Sequence, residues 1–231
     1  MAACIFKPAV NLAESVEQFH KGGAPQIFKI IRRFDGKTFP RNSEEIFAQH
    51  QVTTSLNEIA LLNQLVAKVQ SFDPDIIVAH NGYGAELEVI ATRLACHGIP
   101  MWHKLSRLRR EKNDLRTSMS GRFVVRKLTL GRLVCDTELA AREPLRETSY
   151  ELSHLVQVRL KQPYKPLSEE GKHMPLYEQI PKCYEHGKSL CDAVDHAIQD
   201  AAWSLQLAWD LEARTRGAPK LAGAAHGARP R

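Results

Sequence analysis

The sequence has no long hydrophobic run and no amino-terminal signal pattern. None of its apolar stretches approaches the roughly 18 residues that a membrane-spanning helix needs. It also lacks a paired cysteine framework, because its 5 cysteines are odd in number and scattered along the chain. We therefore expect reduced thiols, no disulfide and a soluble protein of the cytosol or nucleus, with no membrane partner.

Acidic residues are fewer than basic ones. The chain carries 32 Lys and Arg against 26 Asp and Glu, a net charge of +6, which favours a polyanionic partner without identifying it. With 231 residues and 43% hydrophobic content, one principal domain is expected, and we place it at residues 1–213. Residues 214–231 have five basic residues, no acidic residue and one large aliphatic side chain, so a disordered basic tail is predicted there.

A strand, a tight turn and a helix are predicted within residues 71–96. Residues 75–79 are a short β-branched run of the kind found in strands covered on both faces. His80, Asn81 and two glycines then favour a tight turn, and a helix is expected over residues 85–96. Polar side chains at such a turn face the crevice in which α/β proteins usually hold their sites.

Strands and helices alternate along the rest of the chain, which predicts an α/β fold. Residues 26–34 should form a strand that turns at Asp35-Gly36 into a partner near Thr38. Helices are expected over residues 55–71, 148–160 and 188–213, with a short one capped by Asp136 or Thr137 and an irregular connection at residues 162–181. The helix at 55–71 should be capped by Ser55, with Glu58 in a capping box and an apolar stripe of Ile59, Leu62, Val66 and Val69.

Residues 103–132 form a basic segment, with ten Lys or Arg against two acidic residues. Such charges could neutralise phosphates, or the segment could simply be a solvated loop. We favour nucleic-acid contact. Trp102 could stack on a base, but a core position is favoured for it. The candidate binding residues are Lys104, Arg107, Arg109, Arg110, Lys112, Arg116, Arg122, Arg126 and Lys127.

Four stretches together resemble the exonuclease domain of the family B DNA polymerases. They are Asp73-Pro-Asp-Ile-Ile-Val-Ala-His-Asn-Gly-Tyr-Gly, residues 100–109, Gly131-Arg-Leu-Val-Cys-Asp136 and Ser149-Tyr-Glu-Leu-Ser-His-Leu-Val156. The resemblance is greatest to the alpha-type branch and covers about residues 73–211. It implies a ribonuclease H-like mixed sheet flanked by helices, incomplete at the N-terminal strand.

The family's nuclease positions are degenerate here. Members that cleave DNA use magnesium, held by about four carboxylates. This chain has no Asp-x-Glu in its first fifty residues, and it keeps Asn81 but has Glu86 where the family has Asp. His196 stands where the family has Tyr, four residues before Asp200. We therefore assign no catalytic residue. Glu86 is expected to be a helix N-terminal acid, and Asp200 a solvated carboxylate.

The resemblance implies part of a replicative DNA-directed DNA polymerase of the nucleus. Its partners would be DNA or an RNA–DNA primer–template, the remaining polymerase domains and primase-type subunits. The polymerase carboxylate motifs are absent, so nucleotidyl transfer is not expected from this chain itself. Two alternatives stay open, namely an active 3′–5′ exonuclease and a non-functional gene fragment.

A zinc site is the last alternative that the sequence raises. Cys183, His186, Cys191 and His196 have spacings like those of a zinc knuckle. Cys191 and His196 should lie on one helix but about 140° apart around its axis, so they cannot converge on one ion. We expect neither a metal nor a cofactor in this chain.

Overall fold

A computed structural model describes residues 1–8, 24–34, 38–41, 43–108, 121–167 and 176–217. The strands are β1 Ala2–Phe6, β2 Gln26–Arg32, β3 Thr53–Ser55, β4 Ile76–Ala79 and β5 Leu133–Asp136. The α-helices are α1 Ser43–Gln49, α2 Glu58–Phe72, α3 Leu87–Cys96, α4 Gly121–Leu128, α5 Thr137–Arg142, α6 Leu152–Leu155, α7 Leu176–Cys183 and α8 Gly187–Gly217. Pro100–Leu105 forms a 3₁₀ helix, and π-helical turns lie at Gly82–Glu86 and Val156–Leu160.

The described strands form two small sheets. β1 runs antiparallel to β2, with Ala2 opposite Ile30, and β3 runs parallel to β2. β4 and β5 form a separate parallel pair, with Ile76 opposite Leu133. The α/β class is therefore confirmed, but among the described residues the single mixed sheet is replaced by two.

The predicted hairpin after β2 does not form. Residues 38–40 are not a strand, and Phe39 instead packs edge-on against Phe47 of α1, with ring centroids 5.2 Å apart. β2 already has β1 on one edge and β3 on the other, so no edge is left for a further partner. The proposed turn at Asp35-Gly36 lies outside the described residues.

The N-cap of helix α2 lies two residues later than predicted. Its N-cap is Asn57, whose side-chain oxygen accepts the Ala60 N–H at 2.8 Å. Ser55 is instead the buried last residue of β3. The apolar stripe is also shifted, because Ile59 is 44% exposed while Leu61 and Leu65 are buried beside Leu62 and Val66.

Both ends of the basic segment lie in the main core. Trp102 and Leu105 are buried at its beginning, and Val124, Val125 and Leu128 are buried on α4 at its end. They pack with side chains of β2, α2 and α3, namely Phe28, Ile30, Leu61, Leu62, Leu65, Val66, Leu87, Ala91 and Leu94. The segment is therefore partly a core element, and the favoured core position of Trp102 is confirmed.

The long helix α8 joins two further apolar clusters. Its beginning packs Leu190, Cys191 and Val194 against Ile31, Phe47 and Val52. Its later turns pack Leu207 and Leu211 against Ala141, Leu145, Leu155 and Val156. The helix continues to Gly217, four residues past its predicted end, and residues 218–231 of the predicted tail lie outside the described part.

Two other boundaries differ from the predictions. Helix α6 begins at Leu152 rather than at Thr148, and the residues before it are non-helical, with the Tyr150 hydroxyl donating to the Leu145 carbonyl. The expected irregular connection at residues 162–181 contains the start of α7. Among the described residues, no helix combines the length and the hydropathy that crossing a membrane requires.

Candidate functional site

The turn after β4 brings Glu86 to the carboxyl end of the parallel strands. Asn81 has φ of 56°, in the left-handed region that Asn tolerates, and its carbonyl accepts the Ala85 N–H at 2.9 Å. Gly82 is required there, because a Cβ on it would lie 2.8 Å from the Cβ of Ala79. The chain can thus pass directly from strand to π-helical turn, which ends at Glu86.

Asp136, the last residue of β5, ties the two strand ends together. Its Oδ1 accepts the N–H groups of Glu138 and Leu139 at 3.1 and 3.2 Å, so the predicted cap of α5 is confirmed. Its Oδ2 accepts the Tyr83 N–H at 3.1 Å. Both oxygens of this buried carboxylate are therefore engaged by backbone donors.

Asp200 on α8 is bonded to protein groups rather than simply solvated. Its Oδ1 accepts the Tyr164 hydroxyl at 2.9 Å, and its Oδ2 lies 3.3 Å from Nδ1 of His196. The bond to Asp200 raises the pKa of His196, and burial with the Asp200 charge raises the pKa of Tyr164. The prediction that Asp200 is simply solvated is thus wrong, because Tyr164 binds its carboxylate.

The charges of Asp136 and Asp200 both act on Glu86, and we name these three residues the carboxylate cluster. Burial of the Glu86 carboxyl, followed by the charges of Asp200 and Asp136, raises the pKa of Glu86 to about 7. The expected helix N-terminal position of Glu86 is confirmed, because it is the N-cap residue of α3, although its side chain makes no cap hydrogen bond and reaches solvent. The sequence brought Glu86, His196 and Asp200 to notice, but it gave Asp136 only a capping role.

A polar cavity of about 460 Å³ opens beside the cluster and contains Asn81. In it His80 Nδ1 lies 2.9 Å from the Thr137 hydroxyl, and burial lowers the pKa of His80. Arg142 binds Glu138 at 2.6 Å and lies over the Tyr150 ring. The other lining residues are Thr148, Ser149, Glu151 and Leu152.

The carboxylate cluster does not fit a two-metal site. Among the described residues, no group of three or more His, Cys, Asp or Glu side chains is placed to hold a metal ion. The oxygens of Asp136 and Asp200 already accept bonds from protein donors, and Glu86 is partly protonated near neutral pH. The cysteines considered as zinc ligands have other surroundings. Cys191 is buried in the core, and the Cys183 thiol lies near the Gln179 carbonyl.

The base of the basic segment is held by a group that we name the neck, namely Arg107, Arg132, Asp73 and Asp75. Arg132 donates to Asp73 at 2.7 Å and to the carbonyls of Leu105 and Pro74. Arg107 donates to Asp73 at 2.9 Å and to Asp75 at 2.6 Å. Its backbone N–H also meets the Leu130 carbonyl, so the two ends of the segment are joined.

Helix α4 presents a basic face to solvent. Arg122, Phe123 and Arg126 are exposed, and we name them the α4 face. Arg122 lies 5.9 Å from the Tyr83 ring, and the half-buried Lys127 lies 5.3 Å from the Trp102 ring. Lys104 is half-buried, while Arg109, Arg110, Lys112 and Arg116 lie outside the described residues. Sequence reasoning missed Phe123, although the Arg-Phe-x-x-Arg spacing was a signal for it.

Comparison with known proteins defines the class of this fold. Residues 12–155 match the model of the DNA polymerase family B exonuclease domain, and the chain belongs to this family. Within it, the chain is similar to DNA polymerase alpha catalytic subunits, at 35% identity to that of Mus musculus over 80% of this chain. It is 31% identical to that of Oxytricha trifallax over 79% of this chain. The chain spans only 12% of the length of each of these two relatives.

Proposed function

We propose that the chain is a catalytically inert, nucleic-acid-contacting exonuclease-like domain of an alpha-type replicative DNA polymerase. The family match and the relatives support the polymerase context. In this proposal the overall arrangement is ribonuclease H-like, with the two sheets β1–β2–β3 and β4–β5 flanked by helices. The domain extends from residue 1 to Gly217, where α8 ends, and the basic tail follows it.

The observation that carries the absence of cleavage is the engagement of the carboxylate oxygens. A two-metal nuclease needs about four carboxylates whose oxygens can bind the ions. Asp136 instead caps α5 and fixes Tyr83, and Asp200 accepts from Tyr164. The cluster therefore acts as a structural junction between the strand ends and α8.

Nucleic-acid contact rests on the charge of the basic segment. Phosphate binding by its Lys and Arg side chains would release counterions, so affinity should fall steeply with salt and vary little with sequence. Arg107 is reassigned in this proposal, because its guanidinium is engaged by Asp73 and Asp75 and holds the neck. Lys104, Arg122, Arg126 and Lys127 are the described candidates that remain, together with Arg109, Arg110, Lys112 and Arg116.

The polymerase context supplies the proposed partners and location. These are a DNA or RNA–DNA primer–template, the remaining polymerase domains and primase-type subunits, in the nucleus of a eukaryotic cell. Magnesium would act in the polymerase domains of such an assembly, and the described residues of this chain do not offer it a site.

The test is a nuclease assay with the purified chain. A labelled single strand is incubated with magnesium or manganese, and its length should not change. Wild type is compared with Glu86→Gln, Asp200→Asn and the matched surface control Asp192→Asn, which lies on the exposed side of α8. Shortening by wild type and the control that both cluster variants lose would overturn the proposal.

An active exonuclease is the second candidate, because Asp136 and Asp200 are near enough to Glu86 for their charges to raise its pKa. For it to hold, metal would have to displace the bonds of Asp200 to Tyr164 and His196. The same assay separates the two candidates. Binding is measured apart from cleavage, with EDTA present, as fluorescence anisotropy of the labelled strand at several salt concentrations.

A further inference from the structure

Phe123 is the most unusual side chain on the surface of α4. It is 66% exposed, while its helical neighbours Val124 and Val125 are 2% and 0% exposed. Val124, Val125 and Leu128 are the side chains of this helix that lie in the main core, and Phe123 is not among them. A large aromatic ring kept in water on a rigid, core-anchored helix is available to a ligand.

The two arginines of the α4 face lie on the same side of the helix as this ring. Phe123 and Arg126 are three residues apart and Arg122 and Arg126 are four apart, so all three side chains are neighbours on one side of the helix. Two like charges at that spacing are unfavourable for an isolated helix. Arg122 is held over the Tyr83 ring, which limits its freedom before any ligand arrives.

A backbone N–H at the beginning of α4 already has a hydrogen-bond acceptor within the protein. The Gly121 N–H donates to Glu88 Oε1 at 2.7 Å, so a carboxylate of α3 occupies the helix N-terminus. An anion attracted to this surface would therefore meet the guanidinium groups of Arg122 and Arg126. The buried Trp102, with Lys127 lying over its ring, is not accessible for stacking.

We infer that the α4 face binds single-stranded nucleic acid, with one base stacked on Phe123 and the adjacent phosphates held by Arg122 and Arg126. An exposed aromatic ring beside cationic side chains is the arrangement by which proteins bind single strands without reading sequence. Duplex bases are stacked on one another and cannot offer their faces to this ring. The inference deepens the proposed nucleic-acid contact and rests on it.

The test compares three labelled probes by fluorescence anisotropy on the full chain, in EDTA. They are an oligothymidylate, an abasic strand of the same length and a blunt duplex. Phe123→Ala should weaken thymidylate binding about fivefold or more and leave abasic and duplex binding unchanged. Phe123→Trp should retain thymidylate binding. Val89→Ala, at a 58% exposed position of α3, is the matched control and should change nothing.

A salt titration separates stacking from charge. Arg122→Gln with Arg126→Gln should reduce the slope of log affinity against log salt by about 0.7 for each phosphate that is no longer neutralised. Phe123→Ala should leave the slope unchanged, since the ring carries no charge. Thermal melting of each variant checks that the fold is intact.

Several outcomes would overturn the inference. One is thymidylate affinity unaffected by Phe123→Ala, and another is an equal loss on the abasic strand. Poly-glutamate that binds the chain with the same dependence on Phe123 would instead assign the face to an acidic protein segment. If wild type binds thymidylate with steep salt dependence but ignores Phe123, only this inference fails. If wild type binds none of the probes, the proposed nucleic-acid contact fails with it.

Discussion

The neck and the α4 face contain the same residue type in opposite situations. The Arg132 side chain is 2% exposed and its donors meet Asp73 and two carbonyls, whereas Arg122 and Arg126 stand in solvent. A guanidinium whose hydrogen bonds are made within the protein stabilises the fold. An exposed guanidinium can donate hydrogen bonds to a phosphate. The number of Lys and Arg residues in the basic segment is therefore larger than the number that can bind a ligand.

Asp136 and Asp200 of the carboxylate cluster resemble the aspartates of the neck. Asp136 and Asp200 accept bonds from backbone and side-chain donors, as Asp73 does from its two arginines. Groups that are satisfied in this way should show their loss as instability, whereas residues of the α4 face should show it as weaker binding. Four substitutions test this division.

Arg132→Met should have the largest effect, a loss of about 3 kcal/mol in the free energy of unfolding. The change leaves the carbonyls of Leu105 and Pro74 without their donor in a buried place. Urea denaturation measures it. Arg107→Met, which removes the partly exposed partner of the same Asp73, is the matched control and should cost clearly less. Equal losses would show that burial does not distinguish the two arginines.

Asp200→Ala should lower the free energy of unfolding by about 1–2 kcal/mol near pH 6, because Tyr164 and His196 lose their acceptor. The pKa of His196 is raised in the folded state, so its contribution is full below about pH 6.5 and is lost as the pH rises through the folded value. The cost of the substitution should therefore shrink at pH 8. Denaturation at both pH values checks this, and a cost that grows with pH would contradict it.

Glu86→Gln should stabilise the chain at pH 8 by about 1 kcal/mol and leave it unchanged at pH 4. The folded pKa of about 7 lies above the usual 4.5, so the folded state holds the extra proton between these values and stability falls as the pH rises. Solvent reaches Glu86 and screens its charge, which is why the expected gain is well below that of the full shift. Destabilisation by Glu86→Gln at pH 8 would show instead that the charged carboxylate is needed.

Arg126→Gln should have the smallest effect on stability, a gain of about 0.3 kcal/mol or none. It removes a like-charge pair with Arg122 at a spacing of four residues and uncovers no buried group. Thermal melting against Arg132→Met, in the same segment, gives the direct contrast. A loss comparable to that of Arg132→Met would place Arg126 with the neck.

The local elements were largely readable from the sequence. The β-branched run before His80 predicted β4, Asp136 was one of two predicted caps of α5, and the four family motifs predicted the exonuclease-domain family. These features depend on residues close together in the chain, where hydrogen-bonding capacity and side-chain shape act directly. The start of α2 was missed because Ser55 and Asn57 are both good caps, and pairing of β3 with β2 left the cap to Asn57.

Only the tertiary structure decided which charges are used internally. The sequence does not distinguish the ten Lys and Arg residues of the basic segment. In the structure, Arg132 and Arg107 donate hydrogen bonds to Asp73, which lies 59 and 34 residues before them. Asp200 likewise was expected to be solvated, but the Tyr164 hydroxyl donates a hydrogen bond to it. The sequence determined which groups carry charge and which helices can bury a face. Their roles depended on contacts between distant residues, because a charge is paired or exposed only after the chain has folded around it.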